Sequence, residues 1–240
     1  MKIEVLYPDL ALEFGDRANV EILMRLFPEA ERLDTSLHEK PHFLDEPVAL
    51  VYLGSSEEAH QASILEALRP YAKEIGEAIR RNQFFLLTGN AFDIFGEWLE
   101  EPDASRIAGL GLYPFVVRRN YALRRHGTSI GRTREGIEVA GVLGRYSDIE
   151  WQEERTPFVT VLRETGKNPR TGCDGFRDGR LIATSYNGAF LSMNWDLLSF
   201  FSEQFGQKMP EDPLFDRIRQ NQEYVHACFL DERVQCVFEG

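Results

Sequence analysis

Cysteine is scarce in this sequence. The 240 residues contain three, Cys173, Cys228 and Cys236, and no Cys-x-x-Cys pair. An odd, sparse set of this kind does not build a disulfide framework and suggests reduced thiols in a cytosolic protein. Histidine is also sparse, with five residues and no metal-ligand spacing. We therefore expect neither a metal site nor a cofactor.

Long apolar runs are missing as well. None approaches the roughly 20 residues that span a bilayer, and residues 1–7 lack the apolar core of a signal peptide. Positive charge is in deficit, with 27 Lys and Arg against 39 Asp and Glu and a net charge of −12. This balance argues against nucleic acid or an anionic membrane as the main partner.

The remaining composition is that of a globular α/β protein. Hydrophobic residues make up 43% and charged residues 28% of the chain, and we expect one domain covering residues 1–240. Short apolar runs predict strands at 3–7, 31–35, 48–53, 84–87, 158–162 and 181–186. Residues Phe14–Asn19 predict a capped helix start with Asp16 as the N-cap. Helical spacing predicts further helices over Ile64–Ile79 with a kink or break at Pro70, from Trp195, and from Asp212 as N-cap with Pro213 at N1.

The order of these elements predicts the topology. Strand, helix and strand in succession imply parallel pairing through right-handed crossovers. The fold class expected is α/β, a single doubly wound and mostly parallel sheet with helices on both faces. Ligands of such sheets bind at the carboxyl ends of the strands.

The stretch Gln83–Gly96 organises the rest of the chain. Its first half is a buried strand, and Phe92, Phe95 and Leu99 predict an amphipathic helix over Ala91–Leu99. Gly89 and Asn90 between them tolerate positive φ. A strand that enters a helix through one strained residue is a nucleophile elbow, although an ordinary βα connection explains the same pattern. No serine or cysteine stands at this apex.

The elbow resembles that of class I glutamine amidotransferase-like domains of the cobyric acid synthase type, among them the glutaminase subunit of lipid II isoglutaminyl synthase. The family pattern is strand, Cys-Gly-Gly-Tyr-Gln, two apolar residues and Gly. Aligned on Gly96, it places Gly89 at the cysteine, Asn90 and Ala91 at the two glycines, Phe92 at the tyrosine and Asp93 at the glutamine. The resemblance implies a flavodoxin-like fold in which the nucleophile is absent.

Two further segments carry the resemblance. Gly54-Ser55-Ser56 followed by His60-Gln61 is similar to the family's Gly-Gly-Gly-Ser run and Glu-Gln, whose backbone amides help to form an oxyanion site. Tyr186-Asn187-Gly188 is similar to the motif that carries the catalytic histidine, which places Asn187 at that position. The resemblance therefore implies a ligand-binding surface made by Gly54, Ser55, Ser56, Gln61 and Asn90, beside degenerate catalytic positions at Gly89 and Asn187.

Three residues could rescue catalysis in such a site. Thr88 precedes the apex, Cys173 lies in a glycine-rich loop, and His60 could replace the missing imidazole. Each also has a structural explanation, as a strand-end threonine, a small core or surface residue, and a helix-entry residue. The arginines at 118, 119, 124 and 125, in the Arg-rich segment Arg118–Arg134, could bind an anion, but the pattern favours a solvated strand face.

The resemblance implies a domain that has lost glutaminase chemistry. Its relatives act beside a Mur-ligase-like synthetase, so the main hypothesis is a non-catalytic partner or regulatory subunit of an ATP-dependent, cell-wall-related amidating synthetase. An active glutamine amidohydrolase with a displaced nucleophile is the first alternative. A stand-alone sensor of a small polar ligand such as glutamine is the second.

Overall fold

The computed structural model describes residues 1–167 and 172–234. Cys236 and residues 168–171, which begin the glycine-rich loop predicted around Cys173, lie outside these ranges. The strands are β1 Lys2–Leu6, β2 Glu31–Thr35, β3 Leu50–Leu53, β4 Phe84–Leu87, β5 Trp98–Glu100, β6 Arg106–Ala108, β7 Phe115–Arg119, β8 Arg125–Arg132, β9 Glu138–Arg145, β10 Ser147–Trp151, β11 Val159–Lys167, β12 Cys173–Asp174, β13 Phe176–Asp178, β14 Leu181–Ala183 and β15 Tyr186–Asn187. The α-helices are α1 Arg17–Leu26, α2 Glu58–Leu68, α3 Ala72–Arg80, α4 Trp195–Gln204 and α5 Pro213–Leu230.

A six-stranded sheet lies at the centre of the fold. Its order is β2-β1-β3-β4-β14-β13, and every neighbouring pair is parallel except β13 with β14. Numbered among themselves in chain order, the five parallel strands read 2-1-3-4-5, which is the flavodoxin-like order, and the antiparallel β13 adds an edge strand. The predicted doubly wound, mostly parallel α/β sheet is confirmed.

Helices cover both faces of this sheet. Ile64 and Leu68 of α2 and Ile75 of α3 pack in one core cluster with alternate strand residues such as Val51 and Phe85. A second cluster contains apolar residues of α1, α4 and α5. It also contains the strand residues that face the opposite side of the sheet, such as Tyr52 and Leu86. Because both faces are buried, β3 and β4 consist of apolar residues throughout.

Two further sheets accompany the central one. They have the orders β10-β7-β5-β6 and β12-β11-β8-β9-β15, and all their pairings are antiparallel except β5 with β7. The apolar pattern predicts β11, and the strand face expected for the arginines at 118, 119, 124 and 125 overlaps β7 and β8. No predicted strand covers β5, β6 or β12. Strand β14 belongs to the central sheet and β15 to the last one, so residues 184–187 carry the chain from one sheet to the other beside β4.

The helix predicted over Ala91–Leu99 is wrong. A 3₁₀-helix covers Ala91–Phe95, and the chain then becomes extended at Gly96 and enters β5. Gly96 lies against the ring of Phe115, where a Cβ atom would meet Cδ2 at 2.6 Å. The three apolar side chains that indicated a helical face are all buried, but Phe92 and Phe95 belong to the 3₁₀-helix and Leu99 to β5.

The remaining helix predictions agree with the structure more closely. The apolar stripe divides into α2 and α3 at a 3₁₀ turn, Arg69–Tyr71, that contains Pro70. The Asp212 carboxylate accepts a hydrogen bond from Leu214 N as the N-cap of α5. Within the ranges that the structure describes, no helix is long and apolar enough to cross a bilayer.

Candidate functional site

The carboxyl ends of β3 and β4 meet β15 at the turn that contains Gly89. The Thr88 amide donates to the Leu53 carbonyl at 3.1 Å, and the Gly89 amide donates to the Tyr186 carbonyl at 2.9 Å. Gly89 has a φ of +62°, in the left-handed region that glycine adopts without steric penalty. The turn therefore lies directly beside the residue that precedes Asn187.

The side-chain position of residue 89 is filled by Ser55. A Cβ atom on Gly89 would overlap Ser55 Oγ and lie 2.9 Å from Ser55 Cβ. Both residues are buried, Ser55 with 1% of its surface exposed. The elbow in this conformation has no room for a larger residue at position 89.

The backbone amides of the loop after β3 are occupied by side chains of this same chain. The Ser55 amide donates to Asp16 Oδ2, the Ser56 amide to Asn90 Oδ1 at 3.0 Å, and the Glu57 amide to Glu13 Oε2 at 2.5 Å. Since each N–H group carries one hydrogen, these three amides are not available to an oxyanion in this structure.

Asp16 is the centre of a buried polar network beneath the elbow. Its carboxylate accepts hydrogen bonds from the Ser55 amide, from Thr88 Oγ1 at 2.9 Å and from Asn19 Nδ2 at 3.3 Å. Because the Thr88 hydroxyl donates to Asp16, the Tyr52 hydroxyl must donate to Thr88, across 2.8 Å. The network joins the segment after β1 to the ends of β3 and β4.

Burial raises the pKa of Asp16 to about 6, and the hydrogen bonds from Ser55 and Thr88 offset only part of that effect. The predicted N-cap function of Asp16 is wrong, since its side chain forms no capping bond to α1. Gly54 is tightly enclosed by the same network, because a Cβ atom there would lie 2.9 Å from Asp16 Oδ2.

Asn90 and Gln61 form a second chain of contacts on the other side of the turn. Asn90 Nδ2 donates to the Ser56 carbonyl at 2.7 Å, and Gln61 Nε2 donates to the Asn90 carbonyl at 2.7 Å. Arg119 in turn donates to Gln61 Oε1 and pairs with Glu101. The structure thus brings together Ser55, Ser56 and Asn90 with Gln61 of α2, but as partners of one another and of Asp16.

Asn187 lines an open cleft of about 360 Å³. Its Nδ2 donates to the Gly144 carbonyl at 3.1 Å, whereas its Oδ1 is buried and has no hydrogen-bond partner in the described part of the chain. Arg124 and His126 line the same cleft, and Phe14 stands at its rim with 54% of its surface exposed. Phe14 has a φ of +56°, an unusual and strained conformation for an aromatic residue.

The three rescue candidates lie in different places. Thr88 points into the Asp16 network and is fully buried. His60 Nδ1 lies 3.6 Å from Glu13 Oε1, at the entry of α2. Cys173 is exposed and lines a small cavity with Phe92 and Ser185. No contact of His60 or Cys173 with the elbow turn at 88–90 occurs among the contacts of the described residues.

The Arg-rich segment is largely paired with glutamates. Arg118 pairs with Glu100 and Glu150, Arg119 with Glu101, and Arg125 with Glu164. Arg124 lies over the Tyr146 ring at 5.3 Å. These contacts fit neither a shared anion site nor a simple solvated face.

Sequence reasoning missed several residues at this site. Asn19, Tyr52 and Glu13 contact the elbow network only because distant segments converge there. The sequence pattern places Asp16 and Asn19 at a helix start and does not indicate these contacts. The signal that could have identified them is the Asp-x-x-Asn spacing after the first strand. A buried ion pair between Arg145 Nη2 and Asp93 Oδ1 at 2.5 Å was also missed. In the described ranges no group of three His, Cys, Asp or Glu side chains is arranged to hold a metal ion.

Comparisons with known proteins agree with this geometry at the level of the fold. No family model matches the sequence, and no curated protein matches it. A glutamine amidotransferase from Thermotoga maritima superposes with a TM-score of 0.53 at 14% identity, over 95% of this chain and 94% of that one. A second glutamine amidotransferase superposes with a TM-score of 0.54 at 18% identity, over 85% of this chain and 98% of that one. The chain therefore has a glutamine amidotransferase-like fold.

Proposed function

We propose that this protein is a glutamine amidotransferase-like domain of the cobyric acid synthase type that does not hydrolyse glutamine. Hydrolysis by this fold needs a thiolate nucleophile, an imidazole that moves the proton and backbone amides that hold the oxyanion. In the proposed alignment Gly89 and Asn187 stand at the first two positions. Glycine offers no nucleophile, and an asparagine amide does not exchange a proton near neutral pH.

One observation carries this proposal. Ser55 Oγ fills the space that a side chain at position 89 would need, and the amides of Ser55 and Ser56 already have acceptors within the chain. The site is therefore packed as a structural joint between strands β3, β4 and β15. In a serine protease, loss of the catalytic residues costs about 10⁶ in kcat.

The test is release of ammonia from glutamine. We expect the purified chain to match buffer, alone or with its partner. Turnover at about 1 s⁻¹, an ordinary enzyme rate, would falsify the proposal. Cys173→Ser separates the alternative: a displaced thiol nucleophile predicts that this substitution abolishes activity, whereas our proposal predicts no activity to lose.

The role that remains for such a domain is binding. We propose that it acts as a non-catalytic partner or regulatory subunit of a Mur-ligase-like, ATP-dependent amidating synthetase of cell-wall metabolism. The resemblance supports the partner class, and the strained, exposed Phe14 beside the Asn187 cleft supports a contact surface. Cross-linking in native cells should recover an ATP-dependent ligase, and recovery of a free monomer alone would contradict this role.

A stand-alone sensor is the second candidate function. The Asn187 cleft favours it, because Asn187 and Arg124 line a space large enough for a small polar ligand such as glutamine, and Asn187 Oδ1 has no hydrogen-bond partner among the described residues. Glutamine should then raise the melting temperature without being consumed. Asn187→Ala should remove that shift.

A further inference from the structure

A second, smaller cavity shares no lining residue with the Asn187 cleft. It has a volume of about 60 Å³ and is lined by Arg145, Ser185, Phe92, Cys173, Asp174 and Arg155, among others. Ser185 follows β14, so the cavity also stands at the carboxyl edge of the central sheet, where ligands of such folds bind. We call it the Asp174 cavity.

Asp174 is a buried carboxylate with an unused acceptor. Only 3% of its surface is exposed. Its Oδ2 accepts hydrogen bonds from Thr184 Oγ1 at 2.6 Å and from the Ser185 amide at 3.1 Å, whereas its Oδ1 has no partner among the described residues. A buried carboxylate oxygen without a donor is costly. A bound group with N–H donors would remove that cost.

Arg155 supplies the opposite charge at the same cavity. Its guanidinium lies 4.6 Å over the Trp151 ring, and its Nη2 donates to Cys173 Sγ at 3.3 Å and its Nε to the Gly175 carbonyl at 3.4 Å. Arg155 forms no ion pair within residues 1–167 and 172–234. Stacking on Trp151 fixes the plane of the Arg155 guanidinium. The paired N–H groups of a guanidinium match the two oxygens of a carboxylate.

The other charges around the cavity are already balanced. Arg145 pairs with Asp93, and Arg125 pairs with Glu164 through two hydrogen bonds of 2.9 and 2.6 Å. Counting partners within residues 1–167 and 172–234, one uncompensated anion, Asp174, and one uncompensated cation, Arg155, remain. A simple anion such as phosphate would be repelled by Asp174, and a metal cation by the guanidinium groups.

We propose that the Asp174 cavity binds the head group of a free α-amino acid. The ammonium donates to Asp174 Oδ1, and the carboxylate accepts from Arg155. A space of about 60 Å³ fits this zwitterionic group, and the exposed position of Cys173 places the mouth of the cavity beside that thiol. The amino-acid side chain then extends toward the surface. This inference does not rest on the absence of glutaminase activity.

Titration calorimetry tests the proposal with glycine, L-alanine and L-glutamine as probes. At least one should bind with a Kd below about 1 mM. Alaninamide lacks the carboxylate and N-acetylalanine lacks the ammonium, so each should bind at least about tenfold more weakly than alanine. Arg155→Gln and Asp174→Asn should each weaken binding by a similar factor. Arg219→Gln is the matched control, because Arg219 also stacks on a tryptophan, Trp195, but lies outside the cavity.

A second measurement uses the unmodified protein and does not depend on the folding of variants. Bound amino acid should slow alkylation of Cys173 by iodoacetamide, read by mass spectrometry of its peptide, and leave Cys228 unaffected. Absence of binding by all three probes at 10 mM, about ten times the expected upper Kd, would overturn the proposal. Equal binding of alanine and its two blocked analogues, or unchanged alkylation of Cys173 at a saturating concentration, would overturn it as well.

Discussion

Thr88 donates its hydroxyl hydrogen to the Asp16 carboxylate across 2.9 Å, at a point where no solvent reaches either side chain. The bond ties the end of β4 to the segment that follows β1. It also fixes the Tyr52 hydroxyl as a donor to Thr88. A few hydrogen bonds therefore stabilise the negative charge of Asp16 in the protein interior. Ionisation of Asp16 should change the free energy of unfolding, and this change can be measured as a function of pH.

The first prediction concerns pH. The pKa of Asp16 is raised from 3.8 to about 6 by burial, so between these values the unfolded chain gives up its proton before the folded one does. The contribution of Asp16 therefore lowers the free energy of unfolding as pH rises from about 4 to 6, by about 3 kcal/mol in total. Above that window it is constant.

Asp16→Asn should remove this contribution. Urea unfolding from pH 4 to 8 should show the wild-type protein losing stability relative to the variant as pH rises. Asp9 is exposed, so Asp9→Asn should follow the wild-type curve. Parallel curves for wild type and Asp16→Asn would show that Asp16 does not titrate in this range.

The second prediction concerns the packing of Ser55 against Gly89. Gly89→Ala should destabilise the fold for two reasons, the overlap with Ser55 Oγ and the positive φ, which costs an alanine about 1–2 kcal/mol. In the Ser55→Gly background the overlap disappears and only the cost of the φ angle remains. A double-mutant cycle by urea unfolding should therefore give a favourable coupling between the two substitutions. Additive losses would mean that the turn relaxes away from Ser55.

The third prediction concerns catalysis in a repaired site. Gly89→Cys with Asn187→His should stay inactive, because the Cβ atom of the new cysteine overlaps Ser55 Oγ and the Ser55 and Ser56 amides remain occupied. Adding Ser55→Gly and Asn90→Gly removes the overlap and frees the Ser56 amide. Only this quadruple variant should release ammonia from glutamine at a measurable rate. Equal activity of the double variant would contradict the steric argument.

The fourth prediction concerns the ion pair below the elbow. The Arg145 and Asp93 side chains are 3% and 1% exposed, and Ser147 Oγ donates to Asp93 Oδ2 at 2.9 Å. Asp93→Ala leaves the guanidinium buried without its anion and should cost about 3–5 kcal/mol. Thermal and urea unfolding would measure the loss, with exposed Asp9→Ala as the control. A loss as small as that of the control would mean that water or a neighbouring carboxylate replaces Asp93.

The fifth prediction concerns Phe14. Phe14→Gly removes an exposed aromatic ring and allows the positive φ, so the free energy of unfolding should rise by about 1 kcal/mol. If the rim of the Asn187 cleft is the contact surface for a partner, the same substitution should weaken that complex. Tyr224→Ala, which removes a ring that is 71% exposed on α5, is the control for non-specific loss. A stabilised variant with unchanged binding would place the partner elsewhere.

The central part of the fold could be predicted from the sequence because its signals are local. Strands β3 and β4 are continuous apolar runs, the α2–α3 stripe has helical spacing, and the Asp212-Pro213 start is a capping signal. The antiparallel sheets were largely missed because strands such as β8 and β9 contain glycines and charged residues that hide their alternation. The 3₁₀-helix was mistaken for an α-helix because Phe92, Phe95 and Leu99 happen to share a spacing of three to four residues.

The site could be predicted only in outline. The sequence identified Gly89, Asn90 and the loop after β3, but the partners of that loop lie far away in the chain. Asp16 is 39 residues from Ser55 and 72 from Thr88, and no spacing rule connects such positions. The acceptors of the loop amides and the glutamate partners of the arginines are likewise distant in the chain, so local sequence patterns do not indicate them.

The contact between Ser55 and Gly89 also constrains how this sequence can change. A cysteine or serine at position 89 is blocked as long as Ser55 keeps its hydroxyl, since both would occupy the same space. Loss of that hydroxyl has to come first, and by itself it leaves a gap and offers no new chemistry. Single substitutions can therefore introduce a nucleophile at this turn in one order only, and the intermediate in that order has a less well-packed turn and no nucleophile.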